Sequence, residues 1–243
     1  MNKKTLIIIF IILALISVFL YFFIFKQTEE INKTEEKEEI IEIPARPQSV
    51  DEGLKSFNQA YKLAQISTFY YNNYNAKEAT KKAIAVWQDF TDEFLNGPDS
   101  DYTNIDKWDE KLEQVFLLSK EAKDLQDQNQ MKKASQKLDE ARKIITLITT
   151  NKEDYKLDNE LFFLFIQIKK ASDSNDVEET KKILQEIKLD FTIVKDLLKE
   201  KNSSPEILSL EKAIAQMELA SKTTLTKYQS GLIPAFLKVY EKY

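Results

Sequence analysis

The stretch from Asp99 to Glu110 has residue types and a spacing that suit the binding of a cation. Asp99, Asp101, Thr103 and Glu110 place side-chain oxygens at positions 1, 3, 5 and 12 of a loop of the EF-hand kind. Ca²⁺ takes six to eight oxygen ligands, and the glutamate at position 12 binds it through both carboxylate oxygens. These four residues are therefore the candidate metal ligands of the chain.

Three other positions of the same loop depart from the calcium-binding pattern. Asn104 stands where glycine is expected, Asp106 stands where an apolar residue is usual, and Lys107 brings a positive charge. The competing interpretation is a surface loop in which Thr103 or Asp106 caps the helix that follows. We favour the capping interpretation, and a measurement of Ca²⁺ binding to the folded region would distinguish the two.

The absence of histidine and cysteine removes most familiar catalytic and metal-binding chemistry. Ser-His-Asp and Cys-His mechanisms lack their base or their nucleophile, and zinc sites lose their usual ligands. Gly-rich nucleotide motifs are also missing. The net charge of −5, with both signs well mixed, argues against nucleic acid, which needs a concentrated basic face. We expect no enzyme, no cofactor and no nucleic-acid partner.

Acidic pairs and one aromatic cluster are weaker candidates for a site. Asp139 with Glu140 is typical of a solvated helix face, and that is our expectation for this pair. The aromatic residues 69–71 and Tyr74 end the first predicted helix. They form either part of the core, which we favour, or a patch that binds a partner or stacks on a ligand.

An uncharged run from Leu6 to Phe25 predicts a membrane anchor. At about 1.5 Å per residue, a helix of this length crosses the ~30 Å hydrocarbon layer. Bulky side chains from Tyr21 to Phe25 do not suit a signal-peptide cleavage site, so we expect the segment to remain. Lys3 and Lys4 precede the span, which predicts a cytoplasmic N-terminus and an extracytoplasmic folded region.

The segment that follows the anchor is predicted to be an extended tether. Residues 27–50 contain seven glutamates, together with Pro44 and Pro47. Like charges repel one another and prolines interrupt helices, so little regular structure is expected here. The predicted organisation is an anchor at 1–26, a tether at 27–50 and a folded region after it.

Apolar residues recur at spacings of three and four from residue 50 onward, as in amphipathic helices packed in bundles. The expected fold class is all-α, with about eight helices in antiparallel bundles. The helices are predicted at 51–72, 77–95, 104–126, 129–150, 156–172, 176–200, 205–229 and 232–242. Leu161 to Ile168 is apolar nearly all round, which predicts a helix buried on several sides.

Two similar segments indicate an internal duplication. Trp87 to Thr91 (WQDFT) and Lys188 to Thr192 (KLDFT) each lie late in a predicted helix, and the same offset superposes the neighbouring core positions. The duplication predicts two four-helix units, 51–151 and 152–243, as two bundles or one fused array. The alternative is a chance match between helices rich in Lys and Glu.

The residues predicted to pack in the helical cores form a pattern that is also found in other proteins. They are Asn75 to Ala79, Trp87, Phe90, Phe94, Trp108, Leu112, Ala134, Leu138 and Ala141. In these positions the chain resembles N-terminally anchored bacterial proteins that contain a single four-helix unit, a family of unknown function. The resemblance covers about half of the chain at a time, and it implies helical packing without any particular activity.

Two functions fit this organisation. The first is a membrane-tethered extracytoplasmic helical module for protein interaction or structural assembly, with another protein or with a second copy. The alternative is a helical bundle that binds a small molecule or a cation such as Ca²⁺. The alternative requires polar residues that converge on one cavity. A third class, an enzyme based on carboxylates, requires two acids that face each other across a cleft.

Overall fold

A computed structural model describes residues 46–69, 73–199 and 203–243 of the chain. The described part is a helical bundle without strands, which confirms the predicted all-α class. Its helices are α1 (Val50–Phe69), α2 (Asn73–Phe94), α3 (Trp108–Asp127), α4 (Met131–Thr149), α5 (Lys156–Asp173), α6 (Val177–Leu198), α7 (Pro205–Glu218) and α8 (Leu225–Lys242), with short 3₁₀ helices at Ser100–Tyr102 and Glu153–Tyr155.

The predicted anchor, Leu6 to Phe25, lies outside the described residues, as does most of the predicted tether. Among residues 46–69, 73–199 and 203–243, no helix combines the length and apolar character needed to cross a membrane. The anchor and the compartment remain predictions of the sequence.

Helices α1 to α4 enclose the first hydrophobic core. Each helix packs against the next, and α4 returns to α1. The ring of Trp87 lies 4.4 Å from that of Phe57 and 4.9 Å from that of Phe90, measured between ring centroids. Aromatic side chains bury a large area each, so this cluster dominates the packing of the first half.

Helices α5 to α8 enclose a second hydrophobic core with the same order of neighbours. Phe165, Phe236 and Tyr240 stack on one another with ring centroids 5.2–5.7 Å apart. The segment from Leu161 to Ile168 has five buried apolar side chains, as its composition predicts, and four of them belong to this core. Phe163 is exposed. Each half of the domain therefore has a core of its own.

The break between the last two helices differs from the prediction. The sequence suggested an interruption at Gly231 and Pro234, but α8 continues through both, and the chain turns at residues 219–224 instead. Ser221 and Thr224 form this turn, where the Ser221 amide donates to the Thr224 hydroxyl at 2.9 Å. Pro234 is exposed, and the buried face of α8 offsets the cost of about 3 kcal/mol that proline imposes in a helix.

A polar interface and a cleft between the two halves

Polar side chains line the contact between the two cores. On α4 they recur at spacings of three and four, directly beside the apolar stripe that faces the first core. These buried α4 residues are Ser135, Asp139, Arg142, Thr146 and Thr149. Helix α5 packs against this face of α4 through Lys169, and α8 contacts α1. The interface between the halves is therefore polar and buried at once.

Asp139 lies at the centre of this interface. Its Oδ1 accepts a hydrogen bond from Gln65 Nε2 at 3.1 Å, and its Oδ2 accepts one from Lys169 Nζ. The Gln65 Oε1 atom in turn accepts from the Tyr240 hydroxyl at 3.0 Å, and Lys169 also donates to Ser135 Oγ at 2.6 Å. A continuous chain of hydrogen bonds thus runs from α8 through α1 and α4 to α5.

Burial determines the electrostatics of this chain of hydrogen bonds. Asp139 is only 8% exposed, and this desolvation raises the pKa of its carboxyl group, against the opposing effect of the Lys169 ammonium. The ammonium lies 5.1 Å from the ring centroid of Phe165 and 5.6 Å from that of Phe69. The Lys169 side chain is therefore held between the Asp139 carboxylate and two aromatic rings.

Arg142 adds a second charge to the interface. It is 1% exposed, its Nη1 donates to Asn58 Oδ1 at 3.0 Å, and its guanidinium carbon lies 5.7 Å from the ring centroid of Phe162. Within the described part of the chain, Arg142 Nη2 and Asn58 Nδ2 find no hydrogen-bond acceptor. Burial raises the pKa of Tyr61 and of Tyr240 far above the ordinary value, so both phenols remain donors.

A cleft of about 520 Å³ opens at the edge of this interface, where α4, α5 and α6 meet the end of α1. Ser135, Asp139 and Lys169 contribute its polar groups, and Phe69, Ile166 and Ile183 contribute its apolar surface. A cavity of a few hundred Å³ with a few convergent polar groups is typical of sites for small ligands.

A second pocket of about 400 Å³ adjoins the cleft and shares Phe69 and Asp173 with it. Ile233 and Pro234 of α8 give this pocket an apolar surface. The side chain of Gln229, also in its lining, donates to two backbone carbonyls at the end of α5, each at 2.7 Å. These bonds fix the position of α8 beside the cleft.

A wider groove of about 760 Å³ lies between the end of α2 and the start of α3. Its charged residues, Asp92, Asp109 and Glu113, are all exposed. Solvated carboxylates on helix surfaces contribute little binding free energy. The groove is larger than the cleft, but the cleft contains the buried charged groups.

Asp99, the first residue of the predicted calcium loop, caps a different helix. Its Oδ2 accepts a hydrogen bond from the Val50 amide at 2.9 Å, at the start of α1. A carboxylate at this position satisfies one free N–H of the first turn and interacts favourably with the helix dipole. Asp99 thus stabilises the first helix across 49 residues of sequence.

The other predicted calcium ligands have separate surroundings. Asp101 pairs with Lys152 at 3.7 Å, Glu110 pairs with Lys107 at 3.0 Å, and Thr103 is exposed after the first 3₁₀ helix. The described residues contain no group of three or more acidic side chains placed to hold a metal ion. Calcium binding stays a prediction, and it would require these carboxylates to leave their present partners.

The prediction that Thr103 or Asp106 is the N-cap residue of the helix after this loop is wrong. The structure has Lys107 at the N-cap position of α3, with a left-handed backbone (φ 54°) and no capping hydrogen bond from its side chain. The N-cap residue of α3 is therefore neither Thr103 nor Asp106. The backbone turns into the helix one residue after Asp106, which leaves that carboxylate outside the first turn.

We expect the substitution Asp99→Ala to lower the free energy of unfolding by about 1–2 kcal/mol, the usual cost of a lost helix cap. The matched control is Asp101→Ala, whose side chain makes an exposed ion pair worth under about 1 kcal/mol. Urea denaturation of the two variants measures the difference. Equal losses would contradict the capping role of Asp99.

The prediction that Asp139 lies on a solvated helix face is wrong, because its side chain is buried. Glu140 is exposed, as predicted. The sequence contained a sign of this burial, because the polar residues of α4 repeat with helical spacing beside an apolar stripe.

Phe69, from the aromatic cluster, lies with its ring centroid 5.7 Å from that of Phe165 in the other half. It belongs to the interface and also lines the cleft.

Comparison of the chain with protein-family models, with curated proteins and with solved structures gives no match.

Proposed function

We propose that this chain is a membrane-tethered binding protein whose ligand site is the cleft between α4, α5 and α6. One observation carries the proposal: Ser135 and Asp139, both more than nine-tenths buried, converge with Lys169 on a cavity that is open to solvent. Removing polar groups from water costs free energy, and an apolar interface would pack as well. The convergence of polar residues on one cavity favours ligand binding.

The proposal also includes a membrane tether and an extracytoplasmic location. An anchor at Leu6 to Phe25, followed by the acidic segment, would hold the domain on the outer face of a membrane with the N-terminus in the cytoplasm. The support is the uncharged apolar run and the lysines that precede it. A ligand that approaches from the outside would then reach the cleft without crossing the lipid.

An internal duplication would explain where the cleft lies. In both halves the helices follow the same order of neighbours, and Ala83, Val86 and Phe90 are buried like Leu184, Ile187 and Phe191 at the same offset. Two four-helix units, 51–151 and 152–243, would then meet along α1, α4, α5 and α8. The ligand site would be a product of their joining.

Interaction with a protein is a second candidate function. The observation that favours it is the exposure of Phe163, Leu189 and Ile193, which are 43%, 68% and 41% exposed on the neighbouring helices α5 and α6. Leu189 and Ile193 lie one turn apart on α6, and exposed apolar residues that cluster mark interaction surfaces more often than isolated ones do. Cross-linking of the chain in membranes would recover a partner or a second copy.

Blocking the cleft tests the proposed binding function. Gln136 lines the cleft and is exposed, so Gln136→Trp should fill the cavity without disturbing the core. Lys133→Trp, on an exposed position of α4 outside the cleft lining, is the matched control. We expect fluorinated fragments to bind the full chain and the control, as seen by broadened ¹⁹F signals, and to lose binding to Gln136→Trp.

Two results would contradict the cleft as the site. The fragments would bind all three proteins equally, or the wild-type chain would bind none of them.

Alkaline extraction of membranes tests the tether separately. The full chain should stay with the lipid and a chain without residues 6–25 should be released, whereas release of both would contradict the anchor.

A further inference from the structure

The cleft carries charges of both signs in nearly equal number. Its lining contains three lysines and four carboxylates: Lys132, Lys169, Lys170, Asp139, Asp173, Glu179 and Glu186. Lys132 pairs with Asp173 at 3.0 Å, and Lys169 pairs with Asp139. A ligand with only one sign of charge would be repelled by one of the two sets, whereas a ligand with both signs can match both.

Hydrogen-bond donors gather on the side of the cleft formed by α4 and α5. Lys169 has three N–H groups and gives two of them, to Asp139 and to Ser135. Ser135 accepts from Lys169 and donates to no acceptor among the described residues, so its hydroxyl hydrogen is available. Lys170 adds a second ammonium to the lining. This side suits a carboxylate group, which accepts charge-assisted hydrogen bonds.

An unpaired carboxylate lies on the α6 side of the cleft. Glu186 is exposed and has no ion-pair partner within the described part of the chain. Glu179, one turn before Ile183 on the same helix, accepts a hydrogen bond from Ser174 at 2.6 Å. Since α5 packs against both α4 and α6, the donors and Glu186 lie on different walls of one cavity. The α6 wall suits an ammonium group.

Apolar surface extends from the cleft into the adjoining pocket. Phe69 lines both cavities, Ile166 and Ile183 lie in the cleft, and Ile233 and Pro234 lie in the pocket beyond. An apolar side chain that leaves water and becomes buried here gains free energy in proportion to its apolar area. The two cavities together, about 520 and 400 Å³, accommodate a ligand larger than a single amino acid.

We infer that the ligand of this site is a short zwitterionic peptide with a large apolar side chain. Its terminal carboxylate binds Ser135, Lys169 and Lys170, its terminal ammonium binds Glu186, and its apolar side chain enters the pocket formed by Phe69, Ile233 and Pro234. The inference rests on the proposed function, because it names the class of ligand for the same cleft.

Capped and uncapped dipeptides test the inference directly. We expect isothermal titration of the full chain in mild detergent to detect Phe-Leu with free termini. N-acetyl-Phe-Leu and Phe-Leu-amide each lose one charge and should bind at least about tenfold more weakly, since each loses its charge-assisted hydrogen bonds. Gly-Gly keeps both charges but lacks the apolar side chain, and should also bind at least about tenfold more weakly.

Variants separate the contributions of the two cavities. Glu186→Gln should weaken binding of Phe-Leu but hardly change that of N-acetyl-Phe-Leu, which has no ammonium. Ser230→Trp, at an exposed residue of the adjoining pocket, should weaken Phe-Leu and leave Gly-Gly unchanged. Asp196→Asn, on an exposed position of α6 outside the cleft lining, is the control and should bind like the wild type.

The outcomes distinguish this inference from the proposed function. If the capped dipeptides bind as tightly as Phe-Leu, or if no dipeptide binds while fragments still do, the ligand class is wrong and the cleft remains a binding site. If Phe-Leu binds Gln136→Trp as tightly as the wild type, it binds elsewhere and the inference fails. If neither dipeptides nor fragments bind the wild-type chain, the proposed function fails as well.

Discussion

Replacing Lys169 with methionine is expected to lower the free energy of unfolding by roughly 3–5 kcal/mol at pH 7. Methionine keeps most of the apolar contact of the lysine stem but removes the ammonium, and Asp139 then remains buried without its cation. The carboxyl group can protonate instead. At 1.36 kcal/mol per pH unit above an ordinary pKa of about 3.9, protonation at pH 7 costs about 4 kcal/mol, within the same range.

The partner substitution Asp139→Asn is expected to cost much less, about 1 kcal/mol. Asparagine retains an oxygen for Gln65, and the lysine side chain, 16% exposed at the cleft, can reach water. The asymmetry arises because the carboxylate is the more deeply desolvated partner, as the raised pKa of Asp139 indicates. In the background of Asp139→Asn, Lys169→Met should therefore cost far less than it does in the wild type.

The penalty of Lys169→Met should also depend on pH. Without the lysine, the pKa of Asp139 in the folded state rises further above its unfolded value, so stability falls as pH rises between these two values. Lowering the pH from 7 to 5 should reduce the penalty by at most about 2.7 kcal/mol, at 1.36 kcal/mol per pH unit. Urea denaturation followed by far-UV circular dichroism at both pH values measures this. A penalty that is equal at both, or equal to that of Asp139→Asn, would contradict the buried pair.

The substitution Gly53→Ala is expected to destabilise the first half by about 1–3 kcal/mol through overpacking. A methyl group at this position of α1 would lie 2.3 Å from Phe90 Cδ2 and 3.3 Å from Pro47 Cβ. Phe90 is fully buried against Trp87 and Trp108, so its ring has little room to move. The clash outweighs the gain of up to about 1 kcal/mol that alanine ordinarily brings to a helix.

Gly231→Ala in α8 is the matched control, because no described atom lies within 4 Å of the added methyl group and the backbone has no positive φ. This variant should gain about 0.5–1 kcal/mol from helix propensity alone. If urea denaturation shows a lower free energy of unfolding for Gly53→Ala and a higher one for Gly231→Ala, the result would support the close packing of α1 on α2. A gain in stability for Gly53→Ala would show that the two helices are further apart.

Local patterns in the sequence are sufficient to predict much of the fold. The spacing of Ala83, Val86 and Phe90 identifies the buried face of α2, and Ser204 with Pro205 identifies the start of α7, where Ser204 accepts from the Ile207 amide. These features depend on neighbours within one or two turns. The same local reasoning predicted a break at Pro234. It failed because α8 is held intact by packing against α1 and α5, which are distant in sequence.

The site could not be predicted in the same way. Asp139 and Lys169 lie 30 residues apart, and their contact depends on which face of α5 docks against α4. Asp99 and Val50 lie 49 residues apart, so the capping role of Asp99 was hidden behind a local resemblance to a calcium loop. A polar stripe with helical spacing is visible in the sequence, but its burial is a property of the assembled halves.

Protein-observed NMR of the isoleucine methyl groups tests the central claim most directly, that the cleft between the two halves is a binding site. Ile166 and Ile183 lie in the cleft and Ile233 lies in the adjoining pocket, whereas Ile144 and Ile148 belong to the first core. On addition of Phe-Leu to the full chain, we expect the methyl signals of Ile166, Ile183 and Ile233 to shift and those of the first core to stay in place. Shifts confined to other methyl groups, or spread evenly over the chain, would contradict the claim.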